Sequence, residues 1–344
     1  MPPKRVDEIA TATTAVRWKR KARRFDVLNF VDKIRRHAAV AKGNFSSMFG
    51  EIEIPPLPAA ISRLVTEIGK EEPDMQQLGQ MVAATPEISM KILQTVNSAL
   101  FFLPNPVNSV THAVTLLGLK RIRPLILSFA TAHSLPTPPG ELFEQQVFWS
   151  DSLLKALIAR AFADSHCPDD REDAFTAMLL ADIALPVLLT SWSEYYQPVV
   201  SRWRGAGERL SRLERDSFQW DHAQAGAWIL QDWGFPEELV CFVGLHNADG
   251  DTVREFELQE SAALPVAVAA MAPGCLNPDP VRARAMLEAA AREFQLTETR
   301  LQEKVMEIRM GFGEICSLFD IIQGEGGATL DLLDRVLLEM VEEA

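Results

Sequence analysis

An all-α fold is predicted by three features of the 344-residue chain. Apolar residues recur at helical spacing in almost every segment, alternating β-branched runs are nearly absent, and capping residues stand where the periodic runs begin. The Pro-rich entry Ile54-Pro55-Pro56-Leu57-Pro58 leads into Ile61, Leu64, Val65 and Ile68, one stripe of a first helix. Asp74 opens a D-x-x-Q pattern with Gln77, which predicts a capping box ahead of Leu78, Met81 and Val82. Thr85-Pro86 reads as an N-cap followed by proline at the first helical position, and Ile88, Ile92, Leu93, Val96 and Leu100 continue that helix. Ser109 precedes Val110, Ala113, Val114 and Leu117, and Gly118 is placed to close the segment in the left-handed conformation. Ile122, Leu125, Ile126 and Phe129 form the next stripe.

Punctuation residues divide the chain. Leu135-Pro136-Thr137-Pro138-Pro139-Gly140 reads as a linker between two helical lobes, roughly 51–134 and 141–320. Gly324-Glu325-Gly326-Gly327 reads as a flexible break before a C-terminal helical tail, 321–344, whose stripe is Leu333, Val336, Leu337 and Met340. Residues 1–50 form a basic extension with an amphipathic helix, striped by Val27, Phe30, Val31, Ile34 and Ala38. That stripe suits packing on its own domain and a partner surface equally.

Composition narrows the class. With 47% apolar residues the chain can bury a large core, which excludes wholesale disorder. The first 24 residues lack the apolar run of a secretory signal. The longest apolar stretch, near Ala262 to Pro273, is broken by Pro265 and falls short of the ~20 residues a bilayer requires. Cys167, Cys241, Cys275 and Cys316 are far apart and form no C-x-x-C pair, as expected of a cytoplasmic protein in a reducing compartment. Net charge is −13, but residues 1–50 carry +8 and the remainder −21. An acidic body repels nucleic acid and anionic lipid. Attraction to polyanions is therefore confined to the arm, through Arg17, Lys19, Arg20, Lys21, Arg23 and Arg24, and a solvated charge run explains the same residues.

Three stretches together resemble the HDOD family, relatives of the HD phosphohydrolases. They are Leu57-Pro58 at a helix start, Thr85-Pro86-Glu87 through Lys91 to Asn97-Ser98-Ala99, and Ser109-Val110 through Leu117-Gly118-Leu119. Pro86, Asn97, Ser98 and Gly118 are the signature positions. Downstream, Phe148-Trp149-Ser150-Asp151-Ser152, Leu179-Leu180-Ala181-Asp182-Ile183 and Asp221-His222-Ala223 with Trp233-Gly234-Phe235-Pro236 extend the resemblance to roughly 52–320. It implies a single all-helical, two-lobed HDOD domain, 51–320, containing a degenerate HD-type bundle, and a role in bacterial signal transduction.

The resemblance also locates a vestigial metal site. HD enzymes hold one or two metals with His, His-Asp, His, His and Asp ligands; the metals activate water and clamp phosphate. Here Asp151 stands at the first His position and Ala181-Asp182 at the His-Asp pair. His222 and His246 remain, and no Asp lies in Val266 to Met271. Loss of the histidine beside Asp182 removes a two-metal arrangement, so no metal, no other cofactor and no catalysis are expected. His222 and His246 also suit structural hydrogen bonding, His222 after the cap Asp221 and His246 at a helix end. Asn97 is placed to tie its helix end to a neighbouring loop.

The expectation is a non-enzymatic regulatory module that binds a signalling protein (a response regulator, kinase or cyclic-dinucleotide enzyme) or a small ligand. Nucleic acid is disfavoured, no transmembrane segment is expected, and oligomeric state is left open. Two alternatives stand beside it: a residual metal-dependent phosphohydrolase, and a nucleic-acid-binding regulator acting through residues 17–24.

Overall fold

In a computed structural model of the chain, residues 54–343 are described, apart from 71, 99–104, 140–141, 207 and 276–277. The basic arm and the 27–38 stripe lie outside the described residues. So does the question of what Arg17, Lys19, Arg20, Lys21, Arg23 and Arg24 touch.

The described residues are helical throughout and contain no β-strand. Four helices form the first part: α1 (Ala59–Ile68), α2 (Met75–Ala83), α3 (Pro86–Val96) and α4 (Val110–Ser134). Their inner residues are the ones the periodicity selects: Ile61, Leu64, Val65, Leu78, Val82, Ile88 and Ile92 are all buried. Asp74 caps α2 by accepting from the Gln76 and Gln77 amides, but the expected box is only half made. Its own amide donates to Glu67 Oε1 (3.2 Å), which takes the place Gln77 was expected to fill. Thr85 sits at the N-cap of α3 without capping it; its hydroxyl donates to the Met81 carbonyl instead. Asn97 bridges the end of α3 to the loop before α4, donating to Val107 O (2.8 Å) and accepting from Val107 N (2.7 Å). Ser98 donates to Thr95 O (2.7 Å).

Gly118 has φ +71° and ψ 171°, a conformation closed to residues with a Cβ, and it kinks α4 in two. The two stripes expected on either side of it therefore belong to one bent helix whose halves face different neighbours.

Around the second part run α5 (Gln145–His166), α6 (Arg171–Leu179), α7 (Ala184–Ser191), α8 (Ser193–Ala206), α9 (Leu210–Phe218), α10 (His222–Asp232) and α11 (Glu237–Leu245). They are followed by α12 (Gly250–Glu255), α13 (Ala263–Ala269), α14 (Pro280–Phe294), α15 (Glu298–Leu318) and α16 (Gly324–Glu343). α5 is the axis. It packs against α6, α13, α15 and α16, and Trp149, Leu153, Leu154, Leu157, Ile158 and Phe162 are buried along it, while Asp151, Lys155, Arg160 and Asp164 are half-buried. A helix this apolar is stable only inside a core. α4 packs on α6, and the Lys91 ammonium reaches the Leu318 carbonyl (2.6 Å), so residues 52–344 form one compact unit.

Two expectations are corrected here. The segment that comes closest to a bilayer span is 168–191, not 262–273. Yet 78% of its most apolar window is buried in the core, and the turn at 180–183 breaks it into α6 and α7. The glycines at 324–327 are not a flexible break but the first turn of α16. A Cβ on Gly326 would lie 2.3 Å from Phe312 Cζ and 2.8 Å from Ser150 Oγ. Glycine is needed because the helix start sits directly on α15 and α5. Gly326→Ala is expected to destabilise the protein by about 1–3 kcal/mol through overpacking. Urea denaturation checks this, and an unchanged midpoint would contradict the close approach. All four cysteines are buried free thiols.

Candidate functional site

The site is assembled from helix ends. Asp221 caps α10 with a full capping box, accepting from the Ala223 and Gln224 amides while Gln224 Oε1 accepts from the Asp221 amide. Arg215 holds the second Asp221 oxygen at 2.7 Å. The cap fixes His222 at the first helical position with its ring pointing inward, 5% exposed. His246 follows the last turn of α11, and its Nδ1 donates to Val243 O (2.8 Å), which leaves Nε2 facing the cluster. Asp182 occupies the turn between α6 and α7. Asp182 Oδ1 lies 3.3 Å from His222 Nε2 and 3.6 Å from His246 Nε2, and ligand atoms of all three residues fall within 4.8 Å of one another.

A second ring of contacts decides the charge of this cluster. Glu214 on α9 is fully buried. It accepts from His222 N (3.0 Å), from His222 Nδ1 (2.6 Å) and from the Tyr196 hydroxyl. The Asn247 amide lies 3.0 Å from His222 Nε2. On α5, Asp151 Oδ1 accepts from the Cys275 amide (2.8 Å), and Oδ2 pairs with Lys155 Nζ (2.5 Å). The same ammonium is 3.6 Å from Asp182 Oδ2. Lys155 thus stands between two carboxylates, one turn along the helix from the position where HD enzymes carry their first histidine.

Burial opposes charge throughout, and neighbours overrule it selectively. Burial would discharge Lys155, but Asp151 and Asp182 raise its pKa above the usual lysine range. Burial would protonate Asp182, but Lys155 and then His222 hold its carboxyl far below the usual range. Burial would neutralise His222, but Glu214 and Asp182 raise its pKa well above the ordinary imidazole value. His246 goes the other way: burial and the His222 charge push it down to about 4, against a weaker pull from Asp182. In proton NMR, His222 is expected to remain an imidazolium and not titrate between about pH 6 and 8. His246 is expected to stay neutral until the pH approaches 4. Because its unfolded pKa of about 6.5 lies above the folded one, His246 removes stability as pH falls from about 6.5 to 4. A His222 midpoint near 6.5 would contradict the two-carboxylate clamp.

These residues do not fit an HD-type metal pair. Ala181 supplies no ligand, the Lys155 ammonium lies 3.6 Å from Asp182, and His222 is set between two carboxylates that favour its protonated form. One feature does suit a cation: His246 Nε2 is buried without a hydrogen-bond partner among the described residues, and its Nδ1–H is anchored as in metal-bound histidines.

Of the expected positions, the fold brings Asp151, Ala181, Asp182, His222 and His246 to one place. Pro86, Asn97, Ser98 and Gly118 lie in the α3–α4 region instead and serve as first-turn, bridging and kink residues. Lys155, Glu214, Tyr196 and Asn247 escaped the sequence reading. The signal for Glu214 was a charge on the apolar face formed by Leu210 and Leu213. For Lys155 it was the i,i+4 spacing from Asp151 on a largely apolar helix. The cluster floors a cavity of about 630 Å³, walled by α5, α7, α8 and the start of α14.

The sequence matches the model of the HDOD domain over residues 54–248. None of the curated proteins matches it. Among solved structures, an HDOD domain protein of Geobacter sulfurreducens is similar, with 19% identity, a TM-score of 0.62, and coverage of 81% of this chain and 98% of that one. A provisionally named phosphohydrolase of Shewanella amazonensis SB2B is similar, with 21% identity and a TM-score of 0.55 over 81% and 94% of the two chains. A provisionally named signal transduction protein of Marinobacter aquaeolei VT8 has 17% identity and a TM-score of 0.57, covering 81% of this chain but 61% of that longer one. At such identities the likeness is one of fold.

Proposed function

This chain belongs to the HDOD domain family, and from that membership we propose that it is a non-catalytic regulatory module of bacterial signal transduction. On this view it acts by binding a partner or small ligand rather than by hydrolysis. The observation that supports this most is Lys155. Its ammonium lies 2.5 Å from Asp151 and 3.6 Å from Asp182, so the cluster's negative charge is met by the chain itself. A second cation at the same carboxylates would face like-charge repulsion from Lys155 and His222 in a poorly solvated pocket. The partner class is a signalling protein such as a response regulator, a kinase or a cyclic-dinucleotide enzyme. The −21 charge of residues 51–344 favours fast encounter with a basic partner surface.

A second reading, a residual metal-dependent phosphohydrolase, draws on the convergence of Asp182, His222 and His246 and on the unpartnered His246 Nε2. Metal analysis of the purified full chain separates the two, together with phosphodiester hydrolysis in manganese or iron. The regulatory reading expects substoichiometric metal and no turnover; robust turnover of a cyclic nucleotide overturns it. The nucleic-acid reading rests on residues 17–24 alone. It requires salt-dependent DNA binding that disappears when residues 1–25 are deleted.

A further inference from the structure

The cavity above the Lys155 cluster is larger than any role in holding that cluster together requires. Its volume of about 630 Å³ lies within the roughly 300–1,000 Å³ typical of small-molecule sites. Leu185, Leu189, Val200, Trp203 and Phe148 give it an apolar stretch of wall beside its polar groups. Its cations divide into two kinds. Lys155 is satisfied by Asp151, and Arg204 by Glu144 at 3.7 Å. Arg209 and Arg282, also in the lining, have no carboxylate within ion-pair distance among the described residues. Arg282 donates one hydrogen bond, Nη2 to Ala272 O at 3.3 Å, while its Nε is buried with no partner among the described residues. Burial and then the Arg209 charge both disfavour the charged form of Arg282, so the two guanidiniums repel each other across the cavity wall. Asp151 and Asp279 oppose this from beyond contact distance. Asp151 is committed to Lys155 and the Cys275 amide, and Asp279 caps α14 through the Val281 amide (2.9 Å). Glu208, exposed beside Arg209, lies beyond ion-pair distance of both arginines among the described residues.

We propose that this cavity binds a small organic anion with an apolar body, its carboxylate or phosphate group lying between Arg209 and Arg282. Guanidinium forks match such head groups in geometry, and an anion there relieves the arginine repulsion and meets two guanidiniums that have no carboxylate of their own among the described residues. The apolar wall takes the rest of the molecule. The proposal rests on the regulatory reading above and names the ligand class for the same cavity.

The test is isothermal titration of the full chain, below micellar concentrations, with decanoate and with decyl phosphate. Decanol and decyltrimethylammonium serve as matched controls. One or both anions are expected to bind at one site per chain, at least about tenfold more tightly than decanol, with no binding of the cation. The better anion identifies the head group. Arg209→Ala, at an exposed position whose loss the fold tolerates, is expected to weaken the anion about tenfold or more. Arg282→Lys, which keeps charge but loses the fork, is expected to weaken it less than Arg282→Gln. Equal affinity for decanol and decanoate, an unaltered affinity in Arg209→Ala, or no binding of either anion overturns the proposal. The same preparation is assayed with a chromogenic phosphodiester and manganese. Absent anion binding with no turnover removes the ligand class alone, whereas turnover removes the non-catalytic reading.

Discussion

Glu214→Ala is expected to destabilise the protein by about 3–5 kcal/mol, the range for removing one partner of a buried ionic pair. Glu214 is fully buried and receives three donors: the His222 amide, the His222 ring and the Tyr196 hydroxyl. Alanine strands all three. It also removes the larger of the two attractions that keep His222 charged, so the imidazole pKa falls and the Asp182 carboxyl loses part of its counter-charge. Glu214→Gln retains an acceptor but not the charge and is expected to fall between the two. Urea denaturation measures the loss, and the His222 NMR midpoint reports the charge effect independently. A Glu214→Ala protein within about 1 kcal/mol of the parent would show that His222 is not held this way.

Lys155→Met carries the second large effect and bears directly on function. Without the ammonium, Asp151 keeps only the Cys275 amide and Asp182 only the two histidines, and a loss of about 3 kcal/mol, the lower end of the range for breaking a buried pair, is expected at neutral pH. The sign of its pH dependence follows from Asp182. In the parent its folded pKa lies far below the unfolded value of about 3.9, so its contribution is present above that value and is lost only in strong acid. In the variant the folded pKa rises, so the deficit should shrink as pH falls toward about 4. The variant should also open the position beside Asp182, where His222 and His246 supply two nitrogens. Manganese is therefore expected to raise the melting temperature of Lys155→Met by mass action while leaving the parent unmoved. A parent protein stabilised by manganese as strongly as the variant would show that Lys155 does not occupy the cation position.

The two effects have a common origin. Charges from separate elements meet in this cluster: Glu214 on α9 with His222 on α10, and Lys155 on α5 with Asp151 on the same helix and with Asp182 in the turn between α6 and α7. Removing either partner leaves a mostly buried charge without its closest counter-ion. An HD-type site uses bound metal for that compensation, whereas here lysine and imidazolium supply it from the chain.

The sequence by itself determined the helical class and most of the core, and it singled out Asp151, Ala181, Asp182, His222 and His246, which the fold brings together. Helical periodicity is a local property: Ile61, Leu64, Val65 and Ile68 face one way because of backbone geometry alone, and Asp221 caps His222 through neighbours two and three residues away. Glycine was legible where the backbone required it, as at Gly118, and misleading where packing did, as at Gly326, whose neighbour Phe312 is fourteen residues distant. Which groups pair in this cluster was decided only by the tertiary structure. A carboxylate's state depends on what stands within a few ångströms of it, and for Asp182 that means Lys155, His222 and His246, from three elements far apart in the chain. Lys155 read along the sequence is one half of an ordinary i,i+4 pair; folding α5 into the core brings its ammonium to Asp182, where desolvation makes every unpaired charge costly.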